Sequence, residues 1–246
     1  MRRAAGELVL WFIGNFRTRK LELYLMTRTR FVLLVPVASL CLLLARLSPC
    51  QEGHSSVPLI EALTRRDLDH AHRILRAGAK PNVADQFGNT PLLQAIRSGS
   101  SDFARELISA GADANFTVGG GDTPLMVAAW YCDLKTAREL LNRGALVNGA
   151  NQKGETALMS ASQTCQDGNM VQLLLGAGAD PNLRSGAGYT ALMSAAYGGN
   201  AVAAENLLKA GADPKLRNRN DETAEDKACS RDDKDHFEVC RLLRQR

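Results

Sequence analysis

Aromatic residues are scarce in this chain, and their scarcity limits the fold class. They make up 5% of the 246 residues, with two Trp and four Tyr, whereas hydrophobic residues in total reach 45%. Sheet cores are usually rich in aromatic and β-branched side chains. A core built mainly on Ala and Leu instead favours short, closely packed helices, so we expect a mostly helical protein of one or two domains.

The body of the chain also lacks an excess of either charge. Eight of the 30 Lys and Arg lie in the first fifty residues beside only two Glu, so residues 51–246 hold 22 basic and 24 acidic residues. Nucleic-acid-binding domains usually carry a basic stripe interleaved with aromatic residues. This sequence has no such stripe, and we expect no nucleic-acid partner.

Motifs of catalysis and metal binding are missing as well. His70 and His72 are two residues apart and so lie on different faces of a helix, and no His-Glu-x-x-His motif occurs. The glycine-rich stretch at 118–122 lacks the Lys-Ser or Lys-Thr of a phosphate-binding loop and is typical of a hairpin tip. We therefore predict a protein that is not an enzyme, with no catalytic residue, no metal and no cofactor.

Long hydrophobic runs are absent except at residues 31–45, which follow a short cationic stretch at 26–30. As a helix this run would reach about 22 Å, short of the ~30 Å hydrocarbon core of a membrane. A cationic start, a short apolar run and a small-residue exit are typical of a secretory signal peptide. We predict a signal peptide at 26–50, a linker at 51–56, and a periplasmic or secreted protein; an uncleaved membrane anchor is the alternative.

Residues 1–25 precede an already complete signal. We interpret them as an over-extended N-terminus, with Met26 rather than Met1 as the true start. Recovery of N-terminal peptides from this stretch would contradict that interpretation.

The rest of the chain repeats with a period of about 33 residues. One Gly recurs at steps of 33, 33, 34 and 33, and one Thr recurs at the same four steps. The glycines are Gly78, Gly111, Gly144, Gly178 and Gly211, and the threonines are Thr90, Thr123, Thr156, Thr190 and Thr223. Two independent markers with one period and one common slip indicate a structural repeat.

Each unit is predicted to contain two helices. The Thr is placed to cap a short first helix, with Pro91 or Pro124 at its first position. A Leu and, three residues later, an Ala lie on one face of that helix, so neighbouring first helices can approach closely. The recurring Gly closes the second helix in the left-handed conformation, and the polar residues after it form a turn.

The segments that carry these markers resemble the ankyrin repeat family. They are TPLLQA, TPLMVA, TALMSA and TALMSA after the turns, and AGAKPN, AGADAN, RGALVN, AGADPN and AGADPK at the turns. The resemblance implies an all-α ankyrin repeat solenoid of helix-turn-helix units joined by β-hairpin-like turns over 57–246. We place the repeats at about 57–84, 85–116, 117–150, 151–183 and 184–216, with a closing cap at 217–246.

Four cysteines remain after the predicted signal peptide, an even number in a chain predicted to be exported. Cys132 and Cys165 occupy equivalent loops of adjacent repeats, each nine residues after the Thr. We consider disulfides between Cys132 and Cys165 and between Cys229 and Cys240. Four separate thiols, and a redox-active Cys132–Cys165 pair in a peroxide-defence accessory protein, are the alternatives.

The resemblance also implies a protein partner, bound on the concave surface formed by hairpin tips and first helices. Carried over by register, this surface collects most of the Trp and Tyr residues, which are favoured at interface hot spots. The predicted contact residues are Phe87, Asn89, Arg97, Asp122, Trp130, Tyr131, Glu155, Tyr189 and Tyr197. We therefore expect a monomeric, non-catalytic scaffold for protein–protein interaction, with Met126, Met159 and Met193 packing between the repeats.

Overall fold

The structure, a computed structural model, describes residues 58–117, 121–231 and 233–245; the predicted over-extended N-terminus, signal peptide and linker lie outside these residues. The described part contains twelve helices and no strand, only an isolated antiparallel bridge between Ala150 and Thr156. The helices are α1 Pro58–Thr64, α2 Leu68–Arg76, α3 Pro91–Arg97, α4 Ser101–Ser109, α5 Pro124–Trp130, α6 Leu134–Asn142, α7 Ala157–Thr164, α8 Asn169–Gly176, α9 Ala191–Tyr197, α10 Ala201–Lys209, α11 Ala224–Cys229 and α12 Lys234–Arg244. The all-α prediction is confirmed.

The recurring Thr begins the first helix of a unit, as predicted. Its hydroxyl accepts a hydrogen bond from the amide three residues later, which satisfies a free N–H group of the first turn. In α3, for example, the Leu93 amide donates to Thr90 at 3.1 Å. Thr123, Thr156, Thr190 and Thr223 make the same bond.

The recurring Gly follows the second helix in a left-handed conformation, with φ between 81° and 92° in all five cases. Gly reaches this region without the steric penalty that a Cβ would bring. No heavy atom lies within 4 Å of the position that a Cβ would occupy at Gly78, Gly111, Gly144, Gly178 or Gly211. Backbone conformation rather than lack of space therefore explains this glycine.

First helices pack against first helices through their smallest side chains. The recurring Ala residues are fully buried, and the Leu residues three positions earlier are almost as deeply buried; these are Ala95, Ala128, Ala161 and Ala195 with Leu92, Leu125, Leu158 and Leu192. Met126, Met159 and Met193 are buried among them, so the structure has them packing between the repeats as expected.

A ladder of asparagines links each turn to the next. The side-chain amide of Asn82 donates to the carbonyl of Gly111 at 3.0 Å, and its oxygen accepts from the Asp113 amide at 2.7 Å. Asn115, Asn148 and Asn182 repeat both bonds one unit further along. Lys215 takes this position in the last turn, before the unit that lacks a glycine turn. The ladder therefore ends where the regular repeats end.

The fourth repeat absorbs the extra residue in its first helix and loop. Helix α7 has eight residues where α3, α5 and α9 have seven, and Cys165, the residue that caps its C-terminus, has φ of −90°. The left-handed residue of this connection is Gly168, whereas Gly99, Cys132 and Gly199 fill that role in the neighbouring repeats. The insertion thus relieves Cys165 of a conformation that Cys132 must adopt.

No helix among the described residues is both long and apolar enough to cross a membrane.

Candidate binding groove

A groove with a volume of about 700 Å³ runs along the first helices and the tips of the turns. Seven of the nine predicted contact residues line it: Arg97, Asp122, Trp130, Tyr131, Glu155, Tyr189 and Tyr197. Because the capping Thr fixes the start of each first helix, residues at equivalent positions of successive repeats come to lie in one row. The structure therefore brings together side chains that are up to a hundred residues apart in the sequence.

Three of the four groove aromatics are about half exposed. Trp130 retains 48% of its accessible surface, Tyr131 52% and Tyr197 46%, whereas Tyr189 is partly buried. Trp130 is the last residue of helix α5 and Tyr131 caps it, whereas the preceding residues of the helix, Pro124 to Ala129, are all buried. The helix is thus anchored by its core face while its last residues present apolar rings to the groove.

Two carboxylates, Asp122 and Glu155, are held close together in this groove, and we call them the acidic pair. The side-chain amide of Asn151 donates to Asp122 at 2.8 Å and to Glu155 at 2.9 Å. The oxygen of Asn151 accepts from the amides of Lys153 and Glu155, so the tip of the turn fixes the amide itself. Asn151 was not among the predicted residues, although its position four residues before Glu155 suits a turn.

Arg97 is the basic residue of the groove lining, and it is directed at Asn89 rather than at the acidic pair. Its guanidinium donates to the Asn89 side-chain oxygen at 2.6 Å. Asn89 in turn donates to Asp85, and although burial opposes the shift, hydrogen bonds from Asn89 and Phe87, with the charge of Arg97, lower the pKa of Asp85. Asn89 and Phe87 do not line the groove; Phe87 lies at the tip of its turn with 79% of its surface exposed.

Two cationic residues of the closing cap lie over aromatic rings at the other end of the groove. Lys227 lies 5.5 Å from the centre of the Tyr189 ring and 2.6 Å from a carboxylate oxygen of Glu222. Hydrogen bonds from Asn218 and Lys227 lower the pKa of Glu222, and those that Lys227 makes to Glu222 and Tyr189 raise its own pKa. Arg231 lies 4.9 Å from the centre of the Tyr197 ring.

Sequence reasoning missed these cap residues. Glu222 precedes Thr223 just as Asp122 and Glu155 precede their own threonines, and this register was a usable signal. Lys227 and Arg231 gave no such signal, because the cap departs from the repeat pattern after Thr223.

Both predicted cysteine pairs lie at disulfide distance. Cys132 and Cys165, with Cα atoms 5.6 Å apart, join the loop after Tyr131 to the loop after Thr164 in the next repeat. Cys229 and Cys240, with Cα atoms 5.1 Å apart, join the two helices of the cap. The first pair therefore crosses a joint between repeats directly beside the groove, and the second lies within one unit.

Within the residues that the structure describes, no group of three or more His, Cys, Asp or Glu could hold a metal ion. His72 packs edge-on against Phe103, with ring centres 4.8 Å apart.

A family model of ankyrin repeats in three copies matches residues 59–151, 121–185 and 158–246, which together span most of the chain. No curated protein matches the sequence. Capped pairs of short helices, the glycine turns and the 33-residue period agree with that match. The chain belongs to the ankyrin repeat family.

Proposed function

We propose that this chain is an exported, monomeric, non-catalytic scaffold that binds a protein partner in the groove. Ankyrin repeats generally mediate protein–protein interactions. The observation that carries the choice of surface is the pair of half-exposed rings, Trp130 and Tyr131, at the end of an otherwise buried helix. Large aromatic residues in a concave site are the side chains that most often dominate interface energies.

Export is supported by the two cysteine pairs at disulfide distance, since such bonds persist in oxidising compartments outside the cytosol. The signal peptide and the alternative membrane anchor both depend on residues 31–45. The intact mass of the protein from its native host, with thiols alkylated before and after reduction, distinguishes them. A mass that begins near Gln51 with four protected cysteines supports export, whereas a full-length mass with free thiols contradicts it.

A redox role for Cys132 and Cys165 is the second candidate, because Cys132 directly follows Tyr131 of the groove lining and lies at disulfide distance from Cys165. Cys165 is only 1% exposed, and a reactive cysteine needs access to its oxidant or reductant. This burial favours a structural disulfide that fixes two neighbouring repeats. Full activity of the Cys132→Ser variant in its host would exclude the redox role.

The groove is tested by the double substitution Trp130→Ala and Tyr131→Ala. Because both rings are half exposed, we expect the melting temperature to change little while partner capture, measured by cross-linking in the native extracytoplasmic fraction, is lost. Phe237→Ala is the matched control, since Phe237 is 62% exposed in the cap and does not line the groove. A large loss of stability, or unchanged capture, would contradict the proposal.

A further inference from the structure

The cap shows how this chain itself satisfies a carboxylate of the cap, Glu222, together with an aromatic ring of the groove, Tyr189. Glu222 occupies the position before the capping Thr, and Tyr189 occupies the same position one unit earlier. Lys227 contacts both, at 2.6 Å from the Glu222 carboxylate and 5.5 Å from the Tyr189 ring centre. A cation between a carboxylate and an aromatic face gains from both the opposite charge and the ring quadrupole.

The middle of the groove also has carboxylates and aromatic rings, but among the described residues no Lys or Arg lies between them as Lys227 does in the cap. Asp122 and Glu155 occupy the position before the Thr in two consecutive repeats, and exposed rings of Trp130 and Tyr131 share their groove. Among the described residues, the hydrogen-bond donors of the acidic pair's carboxylates come from Asn151, and no Lys or Arg forms an ion pair with either. Arg97 is engaged by Asn89 instead.

Two carboxylates on one amide repel each other unless a positive charge approaches them. A cationic side chain entering the groove would relieve that repulsion and would pass the aromatic faces on its way. An acidic side chain would meet repulsion at the same point. The charge and the rings of the groove therefore complement a basic residue with apolar neighbours.

We propose that the partner enters the groove with an exposed segment that presents a Lys or Arg side chain to Asp122 and Glu155 and apolar side chains to Trp130 and Tyr131. This inference rests on the proposed function, because it names the chemistry of the partner at the same groove. The partner's cation takes the part that Lys227 takes at Glu222 and Tyr189 within the cap.

The first experiment is selection from a random peptide display library on the purified, oxidised protein, with counter-selection on the Trp130→Ala, Tyr131→Ala variant. The expected result is enrichment of peptides with a Lys or Arg next to apolar residues. Groove-dependent peptides without a basic residue would contradict the proposal of a basic partner residue but would still support the groove as the binding site. A library that yields no groove-dependent peptide would contradict both proposals.

The second experiment measures the affinity of a selected peptide and of its Lys→Gln or Arg→Gln analogue by calorimetry. We expect the analogue to bind about five- to tenfold more weakly at low salt, and the difference to shrink at high salt. Glu155→Gln and Asp122→Asn in the protein should lower the affinity for the basic peptide and leave the affinity for the analogue unchanged.

Asp102→Asn is the matched control, because Asp102 is an exposed carboxylate on α4 outside the groove. The proposal would be overturned if Glu155→Gln and Asp122→Asn lowered the affinity for both peptides equally, or if Asp102→Asn lowered the affinity for the basic peptide as much as they do. Self-association of the protein that the Trp130 substitution abolishes would assign the groove to a second copy and would also overturn it.

Discussion

The middle of the solenoid and the region of its closing cap both contain carboxylates beside aromatic rings, but in the part of the chain that the structure describes only the cap region pairs them with cations. In the cap, Glu222 is paired with Lys227, and cations lie over Tyr189 and Tyr197. In the middle, Trp130 and Tyr131 are half exposed beside the acidic pair. The cap therefore pairs its own carboxylate and places cations over two rings of the fifth repeat, whereas among the described residues of the middle the acidic pair forms no ion pair and both rings are half exposed.

The two regions differ because a terminal repeat and an internal repeat have different neighbours. A terminal repeat needs a polar outer face that meets water, so its charges are compensated internally. An internal repeat is held by a neighbour on each side and can present apolar rings without losing its fold. Each region also has its own disulfide, one across a joint and one within the cap.

Removing either disulfide should give the largest loss in the free energy of unfolding, and the two losses should differ between the middle and the cap. The sequence separations are 33 residues for Cys132–Cys165 and 11 for Cys229–Cys240. On the loop-entropy model, paired Ser substitutions should lower the free energy of unfolding by about 3.7 and about 2.8 kcal/mol respectively. Denaturant unfolding of both double variants measures this difference, with the oxidised wild type as reference.

A larger loss for the cap variant would contradict this ranking. It would mean that the cap disulfide protects the end of the solenoid from fraying rather than only shortening an unfolded loop.

The joint between the fourth and fifth repeats, which links the middle to the last full repeat before the cap, is tested by Gly198→Ala. A Cβ at Gly198 would overlap the carbonyl oxygen of Gln163 on the preceding first helix. Because that neighbour is backbone, the helices must move apart, and we expect a loss of about 2 kcal/mol in the free energy of unfolding. Thermal and denaturant unfolding check this value.

Gly176→Ala is the matched control for Gly198. Gly176 is the last residue of α8, and no heavy atom lies within 4 Å of its Cβ position. Alanine there should stabilise the protein by about 0.5–1 kcal/mol. If both variants behaved alike, close approach of the first helices would not explain Gly198.

Most of the fold could be predicted from the sequence because its markers are local. A capping Thr and a left-handed Gly each act within a few residues, so their period directly gives the order of helices. The asparagine ladder was also readable, since Asn82, Asn115, Asn148 and Asn182 recur at the same steps. Lys227 and Arg231 were not, because their approach to the groove depends on how an irregular cap folds back.

Cys132, in the loop that its disulfide joins to the next repeat, allows a test with a smaller expected change in stability. It is a non-Gly residue with φ of 54°, where the equivalent Gly99 and Gly199 have 75° and 64°. In a Cys165→Ser background, Cys132→Gly should be more stable than Cys132→Ser by about 1 kcal/mol, because Gly adopts this region without strain. Cys165 has φ of −90°, so Cys165→Gly in a Cys132→Ser background should show no such gain over Cys165→Ser.

The smallest expected effect lies in the cap and depends on pH. The amide and the hydroxyl of Thr223 each donate to Asp226 at 2.8 Å, and these hydrogen bonds lower the pKa of its carboxyl. A carboxyl whose folded pKa is depressed stabilises the protein above its unfolded pKa, about 3.9, and the contribution disappears as the pH falls through the folded value. Asp226→Ala should therefore cost about 0.5–1 kcal/mol near neutral pH.

The same substitution should cost little at a pH below the folded pKa, since the wild-type carboxyl is then protonated too. Unfolding of wild type and variant across the acid range measures this convergence. Asp102→Ala is the control, because Asp102 lies in the first turn of α4, where Ser100 makes no side-chain cap bond. A constant difference across the range would show that Asp226 acts through packing rather than charge. Asp226 would then stabilise the closing helix pair without the charge of its carboxylate, in addition to Cys229–Cys240 and the buried face of α12.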